Sequence, residues 1–281
     1  MSKNTNSYDI DPHIAEFYDS WETETDDVDL IRQLINGMGK LRMVEPFCGT
    51  GRVLVPLAQD GHELIGLDQS QAMLDRARDK LAELSDGRAN AKLILSDATE
   101  GDWPGEANLV LLGGNCFYEL ADAEEQEACV ASAAAALKTG GYVYVDNDHM
   151  EDEVSPAWLR PGRRTTVFPM GQCADGTRLT GTTELLSVDF EKRMWRALRG
   201  IVLEFPDGTS TAMERIQHKH PVRYSEVEGW LNKHGFRIEQ TFGDRKGSPY
   251  KDDAPRAIFW ARKMAGNGVS LNTSEGKGGR V

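Results

Sequence analysis

Short apolar runs alternate with longer amphipathic segments through residues 41–146 of the chain. Because neighbouring parallel strands need a crossover between them, usually a helix, this alternation predicts a doubly wound, Rossmann-like α/β fold around a mostly parallel sheet. Ser70 marks the start of one helix, and Asp122 with Glu125 begins another, which Gly140-Gly141 is expected to stop. The predicted parallel strands are Leu41–Phe47, Glu63–Asp68, Lys92–Asp97, Asn108–Gly113 and Tyr142–Asp146.

Beyond Asp146 the pattern changes to β-rich runs, 180–190 and 194–205, bounded by turn dipeptides at Asp175-Gly176 and Asp207-Gly208. Such runs predict an antiparallel insertion between the fifth strand and a terminal strand pair. The long charged loop inside that pair is of a kind that is more often functional than idle. The last predicted elements are a helix capped by Ser225 and Glu228 and the strands Arg237–Phe242 and Arg256–Lys263.

Acidic residues outnumber basic ones, with 45 Asp and Glu against 32 Lys and Arg and a formal net charge of −13. This balance argues against nucleic-acid and anionic-membrane partners, which need clustered positive charge. No apolar run approaches the ~18 residues of a membrane span, and Met1–Asp11 has no apolar signal core, so we expect a cytoplasmic protein. The four cysteines form no C-x-x-C pair, so we expect neither a disulfide framework nor a metal site.

The first predicted strand ends in a glycine-containing turn, Glu45–Gly51, and an apolar helix follows directly. Glycines at such a turn let main-chain N–H groups at a helix N-terminus approach a ligand. A dinucleotide-binding fingerprint would place a third glycine three residues after Gly51, where this chain has Leu54. This departure disfavours a nicotinamide-dependent oxidoreductase. The turn alone is equally compatible with an ordinary strand-to-helix connection.

Polar or small residues also follow the next three predicted strands. Asp68 ends the second strand, where a carboxylate can accept both hydroxyl hydrogens of a ribose. Asp97 and Ala98 follow at the end of the third strand. There a carboxylate beside a small residue could bind the exocyclic amine of an adenine. Gly113 leaves the end of the fourth strand accessible. Each carboxylate alone would more often cap a helix or face solvent, but the carboxyl ends of parallel strands share one edge, so together they predict one nucleoside site.

Taken together, these motifs resemble class I S-adenosylmethionine-dependent methyltransferases over most of the chain, from about Tyr8 to Lys263. The segments that carry the resemblance are Glu45–Gly51, Leu67-Asp68, Ser96-Asp97-Ala98 and Leu137–Gly141.

The resemblance implies S-adenosylmethionine as the cofactor, with the glycine turn at its amino-acid end, Asp68 at the ribose and Asp97 with Ala98 at the adenine. Met73 would pack on the adenine face, or else serve as a core methionine. The implied cofactor-binding residues are Tyr18, Trp21, Glu45, Gly49, Thr50, Gly51, Asp68, Gln69, Met73, Asp97, Ala98, Gly113 and Asn115.

A weaker similarity links the chain to small-molecule N-methyltransferases, chiefly glycine N-methyltransferase and the sugar-amine N,N-dimethyltransferases. It rests on Phe17–Trp21, Leu112–Phe117 and Phe242-Gly243-Asp244. The arginine that holds the substrate carboxylate in the glycine enzymes is missing from the segment Asp146–Glu151, which makes glycine a poor candidate. The similarity implies a small-molecule amine as acceptor.

The acidic residues Asp146, Asp148 and Glu151 favour a cationic or polyhydroxylated acceptor if they face the pocket, although they are equally typical of a solvated loop. Tyr18 and Trp21 would close over the sulfonium and attract its charge, or act as a hydrophobic staple. His149 follows the fifth strand and is the candidate general base, with a structural histidine as the alternative. We predict Tyr18 and His149 as catalytic residues.

His218 and His220 alternate along an inserted strand, so they share one face and either line the acceptor pocket or face water. Their spacing also suits a metal ion, but no neighbouring carboxylate or thiol pattern completes such a site. The predicted acceptor-binding residues are Asn115, Phe117, Asp146, Asp148, His149, His218 and His220.

Two further functions stay open: O-methylation of a small hydroxylated metabolite, and binding of S-adenosylmethionine without turnover. A homo-oligomer is also compatible with the sequence. We divide the chain into an N-terminal helical lid (1–40), a cofactor-binding core (41–150), an antiparallel β insertion that caps the acceptor (151–224), the end of the core (225–263) and a disordered tail (264–281).

Overall fold

The computed structural model describes residues 3–4, 11–84, 90–100, 102–153, 160 and 162–265, so most of the predicted tail lies outside the described residues. Its larger sheet has seven strands, of which the first five in the chain pair in parallel, while the last strand of the chain pairs antiparallel with both of its neighbours. This confirms the predicted mostly parallel sheet. In spatial order the strands are β10 (Phe236–Phe242), β11 (Ala257–Lys263), β5 (Leu137–Asn147), β4 (Ala107–Leu112), β1 (Arg42–Glu45), β2 (Glu63–Asp68) and β3 (Asn90–Leu95).

Helices cover both faces of this sheet, because its strands are apolar on both sides. One face packs on α5 (Ala123–Ala136) and α6 (Tyr224–Lys233), and the other on α2 (Asp26–Leu34), α3 (Leu54–Gln59) and α4 (Gln71–Glu83). This two-sided arrangement confirms the doubly wound prediction. No helix among the described residues is long and apolar enough to cross a membrane.

A second sheet is inserted between β5 and α6. Its four antiparallel strands follow one another in space as they do in sequence. Its inner face packs against Ile14 and Phe17 of α1 (Pro12–Trp21), which ties the N-terminal helix to the insertion. The strands are β6 (Arg164–Gln172), β7 (Arg178–Asp189), β8 (Met194–Glu204) and β9 (Ser210–Lys219).

Two predicted helix boundaries were wrong. Helix α5 ends at Ala136 and β5 begins at Leu137, so Gly140-Gly141 lies within a strand instead of stopping a helix. Helix α6 begins at Tyr224 because the Glu226 carboxylate reaches back to accept from the Arg223 N–H (2.7 Å), and Ser225 is therefore not the cap. The other strand ends differ from the predictions by a few residues, as is usual for element boundaries.

Candidate active site

A cavity of about 680 Å³ lies between the carboxyl edge of the parallel strands and the inner face of the inserted sheet. Its volume falls within the ~300–1,000 Å³ typical of small-molecule sites. One wall consists of the loops that follow β1, β2, β3 and β4, and we call it the core wall. The opposite wall, formed by α1, β6, β8 and β9, is the cap wall.

The glycine turn of the core wall has backbone conformations that favour glycine. Gly49 and Gly51 both have positive φ angles, of 52° and 77°. The Gly49 N–H donates to the Asp68 carboxylate (2.9 Å), which fixes the turn against the end of β2. A Cβ at Gly51 would come within 2.9 Å of the Val55 side chain. Gly51 is not among the residues that line the cavity, so its role is to let α3 pack closely.

The predicted nucleoside carboxylates both line the cavity and are held in fixed orientations. Asp68 accepts from the N–H groups of Gly49 and Ser70, at 2.9 Å each. Asp97 accepts from the N–H (2.9 Å) and the hydroxyl (2.7 Å) of Thr99. The structure thus brings together the strand ends that the sequence indicated. The other predicted cofactor residues on this wall that line the cavity are Glu45, Gly49, Thr50, Gln69, Met73, Ala98, Gly113 and Asn115.

Glu45 stands out because its carboxyl group is buried and one of its oxygens, Oε2, has no hydrogen-bond partner among the described residues. Burial raises the pKa of this carboxyl to about 8. A buried acceptor without a partner costs free energy, on the order of 1–3 kcal/mol. A ligand ammonium group would supply the missing donor and opposite charge, so the residues present fit the amino-acid end of S-adenosylmethionine.

The N-terminal helix α1 covers one side of the cavity. Tyr18 lines it and contacts Phe168 edge-on, with ring centroids 6.0 Å apart, and burial raises the Tyr18 pKa to about 12. The next residue, Asp19, accepts from the Thr50 hydroxyl (2.8 Å) and the Lys80 ammonium (2.6 Å). This carboxylate therefore fastens α1 to the glycine turn.

Trp21 does not line the cavity as predicted. It is 61% exposed and stacks on Phe17, with ring centroids 6.1 Å apart. It lies at the last position of α1, where its ring covers other aromatic side chains from the outside.

Two of the three residues of the predicted acidic rim are paired with arginines, and the third is held by a backbone N–H group. Asp146 is fully buried, does not line the cavity, and bonds to the guanidinium groups of Arg245 (2.9 Å) and Arg256 (2.6 Å). Asp148 does line the cavity but is paired with Arg256 (2.6 Å). The Glu151 carboxylate accepts from the Tyr224 N–H (2.8 Å). The rim therefore gives no net attraction for a cationic acceptor, and that part of the prediction was wrong.

These pairs belong to a longer series of buried or partly buried charges, which we call the six-charge chain. It alternates in sign and joins the glycine turn, α2, the end of β5 and the loop before β11. Two of the charged residues of that loop, Arg245 and Arg256, therefore belong to this chain. The chain runs from Arg52 through Asp27, Arg245, Asp146 and Arg256 to Asp148.

His149 lies behind the cavity wall. Its ring is buried, with Nδ1 2.9 Å from Glu151 Oε1 and Nε2 2.8 Å from the Ala254 carbonyl oxygen. Both nitrogens are thus engaged with acceptors, and the residue is absent from the cavity lining. The geometry does not support His149 as the general base.

His218, His220 and Phe117 also lie away from the cavity lining. His220 is buried between the Lys192 carbonyl (3.1 Å) and Glu226 (3.0 Å), and the Phe117 ring packs edge-on against Trp230. His218 lies on the face of β9 that is turned away from the cavity, and His220 follows the last residue of the strand. Successive side chains alternate in a strand, so Lys219 between them lines the cavity instead.

Apart from Tyr18, the sequence reasoning missed the residues of the cap wall, and it also missed several polar residues elsewhere in the lining. Positions 195, 197, 199, 201 and 203 alternate along β8, and Ala197, Ile201 and Leu203 are buried on its inner face. A single arginine at position 199 within this apolar series is a signal of an internal polar site that could have been found. The missed lining residues with functional groups are Arg52, Tyr118, Glu119, Trp195, Arg199, Lys219 and Arg245.

The fold is Rossmann-like, and its cavity lies at the carboxyl edge of the sheet, the edge at which open α/β sheets bind their ligands. Residues 44–141 match the family described as a methyltransferase domain. This stretch is therefore a methyltransferase domain. It confirms the prediction that the chain contains a methyltransferase domain.

Known proteins resemble the chain over nearly its whole length. A glycine/sarcosine N-methyltransferase from Halorhodospira halochloris is 22% identical, with 88% of each chain covered. An S-adenosylmethionine-dependent methyltransferase from Clostridium acetobutylicum has a TM-score of 0.69 at 14% identity, with 90% of this chain and 98% of the other covered. The sugar N-methyltransferase KedS8 from a Streptoalloteichus species has a TM-score of 0.66 at 17% identity, covering 94% and 97%. The two structural likenesses confirm the fold.

Proposed function

We propose that the cavity binds S-adenosylmethionine along the core wall and that the protein methylates the amine of a small molecule held against the cap wall. One observation carries the proposal. A buried carboxylate in need of a cation, Glu45, lines the same cavity as two oriented carboxylates, Asp68 and Asp97. An amino-acid ammonium, a ribose and an adenine amine are groups that this set of acceptors fits.

The residues of the chain would divide the work as follows. Glu45 and the glycine turn hold the amino-acid end, Asp68 the ribose, and Asp97 with Ala98 the adenine. Tyr18 closes the lid side and excludes water. When bound, S-adenosylmethionine supplies an activated methyl group, so the protein needs chiefly to align the acceptor, which can contribute on the order of 7–11 kcal/mol.

The cap side of the cavity favours an amine over a hydroxyl acceptor. Burial there lowers the pKa of the Lys219 ammonium and raises that of the Tyr118 hydroxyl to about 12. The same desolvation would lower the pKa of an acceptor ammonium and so favour its neutral, nucleophilic form. It would disfavour the alkoxide that O-methylation requires, and His149 is not placed to act as its base. The relatives named as glycine/sarcosine and sugar N-methyltransferases also support an amine.

The test has two stages. Calorimetry with S-adenosylmethionine and S-adenosylhomocysteine should give saturable heat, with NAD as the control that gives none. Methyl transfer from labelled S-adenosylmethionine is then measured over amines, alcohols and carboxylates matched in size. We expect product from amines. Absence of cofactor binding would refute the proposal as a whole, product from alcohols alone would establish the O-methyltransferase alternative, and binding without any product would indicate a non-catalytic protein.

A further inference from the structure

Positive charge concentrates on the inner face of β8 and β9, although the chain carries a net charge of −13. Arg199 lies directly opposite Arg215 in the strand register, and Lys219 lies opposite Trp195. Residues opposite each other in a sheet project from the same face, and like charges in that arrangement repel. Arg199 and Lys219 both line the cavity.

The other arginines around the cavity are neutralised. Arg52, Arg245 and Arg256 each pair with aspartates of the six-charge chain. In contrast, neither Arg199 nor Lys219 has an ion-pair partner within the described part of the chain. Arg199 donates to the Phe168 carbonyl (2.9 Å), and the Lys219 ammonium lies 5.2 Å from the centre of the Tyr118 ring.

These two cations are also partly withdrawn from water. Burial is the main reason for the lowered pKa of Lys219, opposed by the nearby carboxylates of Glu119 and Asp148. Arg199 acts in the same direction as burial and lowers the Lys219 pKa, and Asp148 is itself held by Arg256. A cation that is desolvated without a directly bonded carboxylate has a high affinity for an incoming anion, since charge-assisted hydrogen bonds are the strong ones.

Building on the proposed function, we propose that Arg199 and Lys219 bind an anionic group of the acceptor, a carboxylate or a phosphate, while its amine faces the methyl donor. The acceptor is then an amino acid-like or aminoalkyl phosphate-like molecule rather than a simple cationic amine. The residues that hold the anion belong to the inserted sheet. They therefore differ from the segment after the fifth strand, where the glycine enzymes place their arginine.

The experiment compares Arg199→Met and Lys219→Met with Arg196→Met. Arg196 lies on the same strand but is exposed on its outer face, opposite His218, and methionine keeps the length of the side chain. Substrates are matched series of ω-amino carboxylates, ω-aminoalkyl phosphates and amino alcohols. Thermal shift by acetate and by inorganic phosphate, with S-adenosylhomocysteine present, gives a readout independent of turnover.

We expect the wild type to prefer one of the two anionic series over the amino alcohols. The inner-face variants should lose about 10- to 100-fold in kcat/KM for that series, the range expected for one charge-assisted hydrogen bond. They should also lose the thermal shift by the matching anion. Arg196→Met should behave as wild type, and Lys219→Arg should recover much of the activity. Which series is preferred distinguishes carboxylate from phosphate.

Binding of S-adenosylhomocysteine is measured in every variant and separates the two proposals. Suppose that this binding is normal but that the wild type methylates amino alcohols with the same kcat/KM as the anionic amines. The anion site is then refuted, whereas the proposed function stands. Unchanged kinetics in both inner-face variants would refute it equally. If wild type binds no S-adenosylhomocysteine, the proposed function fails and the anion site fails with it.

Discussion

The two walls of the cavity differ in charge and in how the sequence encodes them. The core wall presents carboxylates, Glu45, Asp68 and Asp97, each at or just beyond the end of a parallel strand. The cap wall presents the cations Arg199 and Lys219 from the middle and end of antiparallel strands. In the core wall, therefore, position along the chain determines the site. In the cap wall, a residue belongs to the site only if its side of the strand faces the cavity. Which side faces inward depends on how the two sheets pack together.

The largest expected effect lies on the core wall. Glu45→Gln keeps the size of the side chain but removes the charge that a ligand ammonium needs. We expect the affinity for S-adenosylmethionine to fall about 100-fold, corresponding to a charged hydrogen bond of ~1.5–3 kcal/mol. Calorimetry measures it, with Glu22→Gln as the control because Glu22 also lines the cavity but belongs to the segment that follows α1. Equal affinities in wild type and Glu45→Gln would mean that Glu45 does not bind the amino-acid end of S-adenosylmethionine.

The same variant has a pH signature. Since the pKa of Glu45 is raised from 4.5 to about 8 in the folded protein, the folded state binds more protons than the unfolded state between these values. The contribution of Glu45 to stability is thus full below pH ~4.5 and is lost as the pH rises toward ~8. Glu45→Gln should remove this decline. Without ligand, the variant should therefore have a higher melting temperature than the wild type at pH 8. A parallel decline in both proteins would contradict the assigned pKa.

The second effect concerns the packing of α1 against β6 within the cap wall. A Cβ at Gly171 of β6 would overlap the Phe17 ring of α1. We expect Gly171→Ala to destabilise the protein by about 1–3 kcal/mol, as overpacking usually does. Gly229→Ala is the matched control: nothing lies within 4 Å of its added methyl group, and in α6 it should stabilise by ~0.5–1 kcal/mol. Urea unfolding measures both, and the same sign for the two changes would show that Phe17 is not packed there.

The smallest effect on catalysis is expected behind the core wall. His149→Gln keeps an amide nitrogen that can donate to the Ala254 carbonyl. Because His149 contacts no cavity, kcat/KM should stay within ~3-fold of wild type, whereas general bases usually contribute ~10²–10⁴-fold. The melting temperature should fall, because the contact between residue 149 and Glu151 is lost. A loss of activity beyond ~100-fold with normal cofactor binding would restore His149 as a base and favour a hydroxyl acceptor.

The sequence predicted most of the core wall because its signals are local. A strand followed by a turn and a helix places residue 49 or residue 68 at the sheet edge whatever the rest of the chain does. The same reasoning predicted the antiparallel insertion, since its turn dipeptides are also local.

The remaining site residues depend on contacts between distant segments. Asp146 and His149 are near the edge in sequence terms, but Arg245, Arg256 and Ala254 come from a loop about 100 residues later and remove them from the cavity. The histidines at the end of β9, His218 and His220, show a second limit of reasoning from sequence. Alternation predicted that they share a face, but which face turns inward is settled by the helix and sheet packed against it.

The six-charge chain has a consequence for anyone who redesigns this protein. Its members carry three positive and three negative charges. Deleting one of its buried members, Asp27 or Asp146, leaves an uncompensated charge on the arginines around it, and breaking a buried pair in this way typically costs ~3–5 kcal/mol. A library that aims at new acceptors should therefore vary paired members of this chain together, so that each change of charge is matched by a change in its partner.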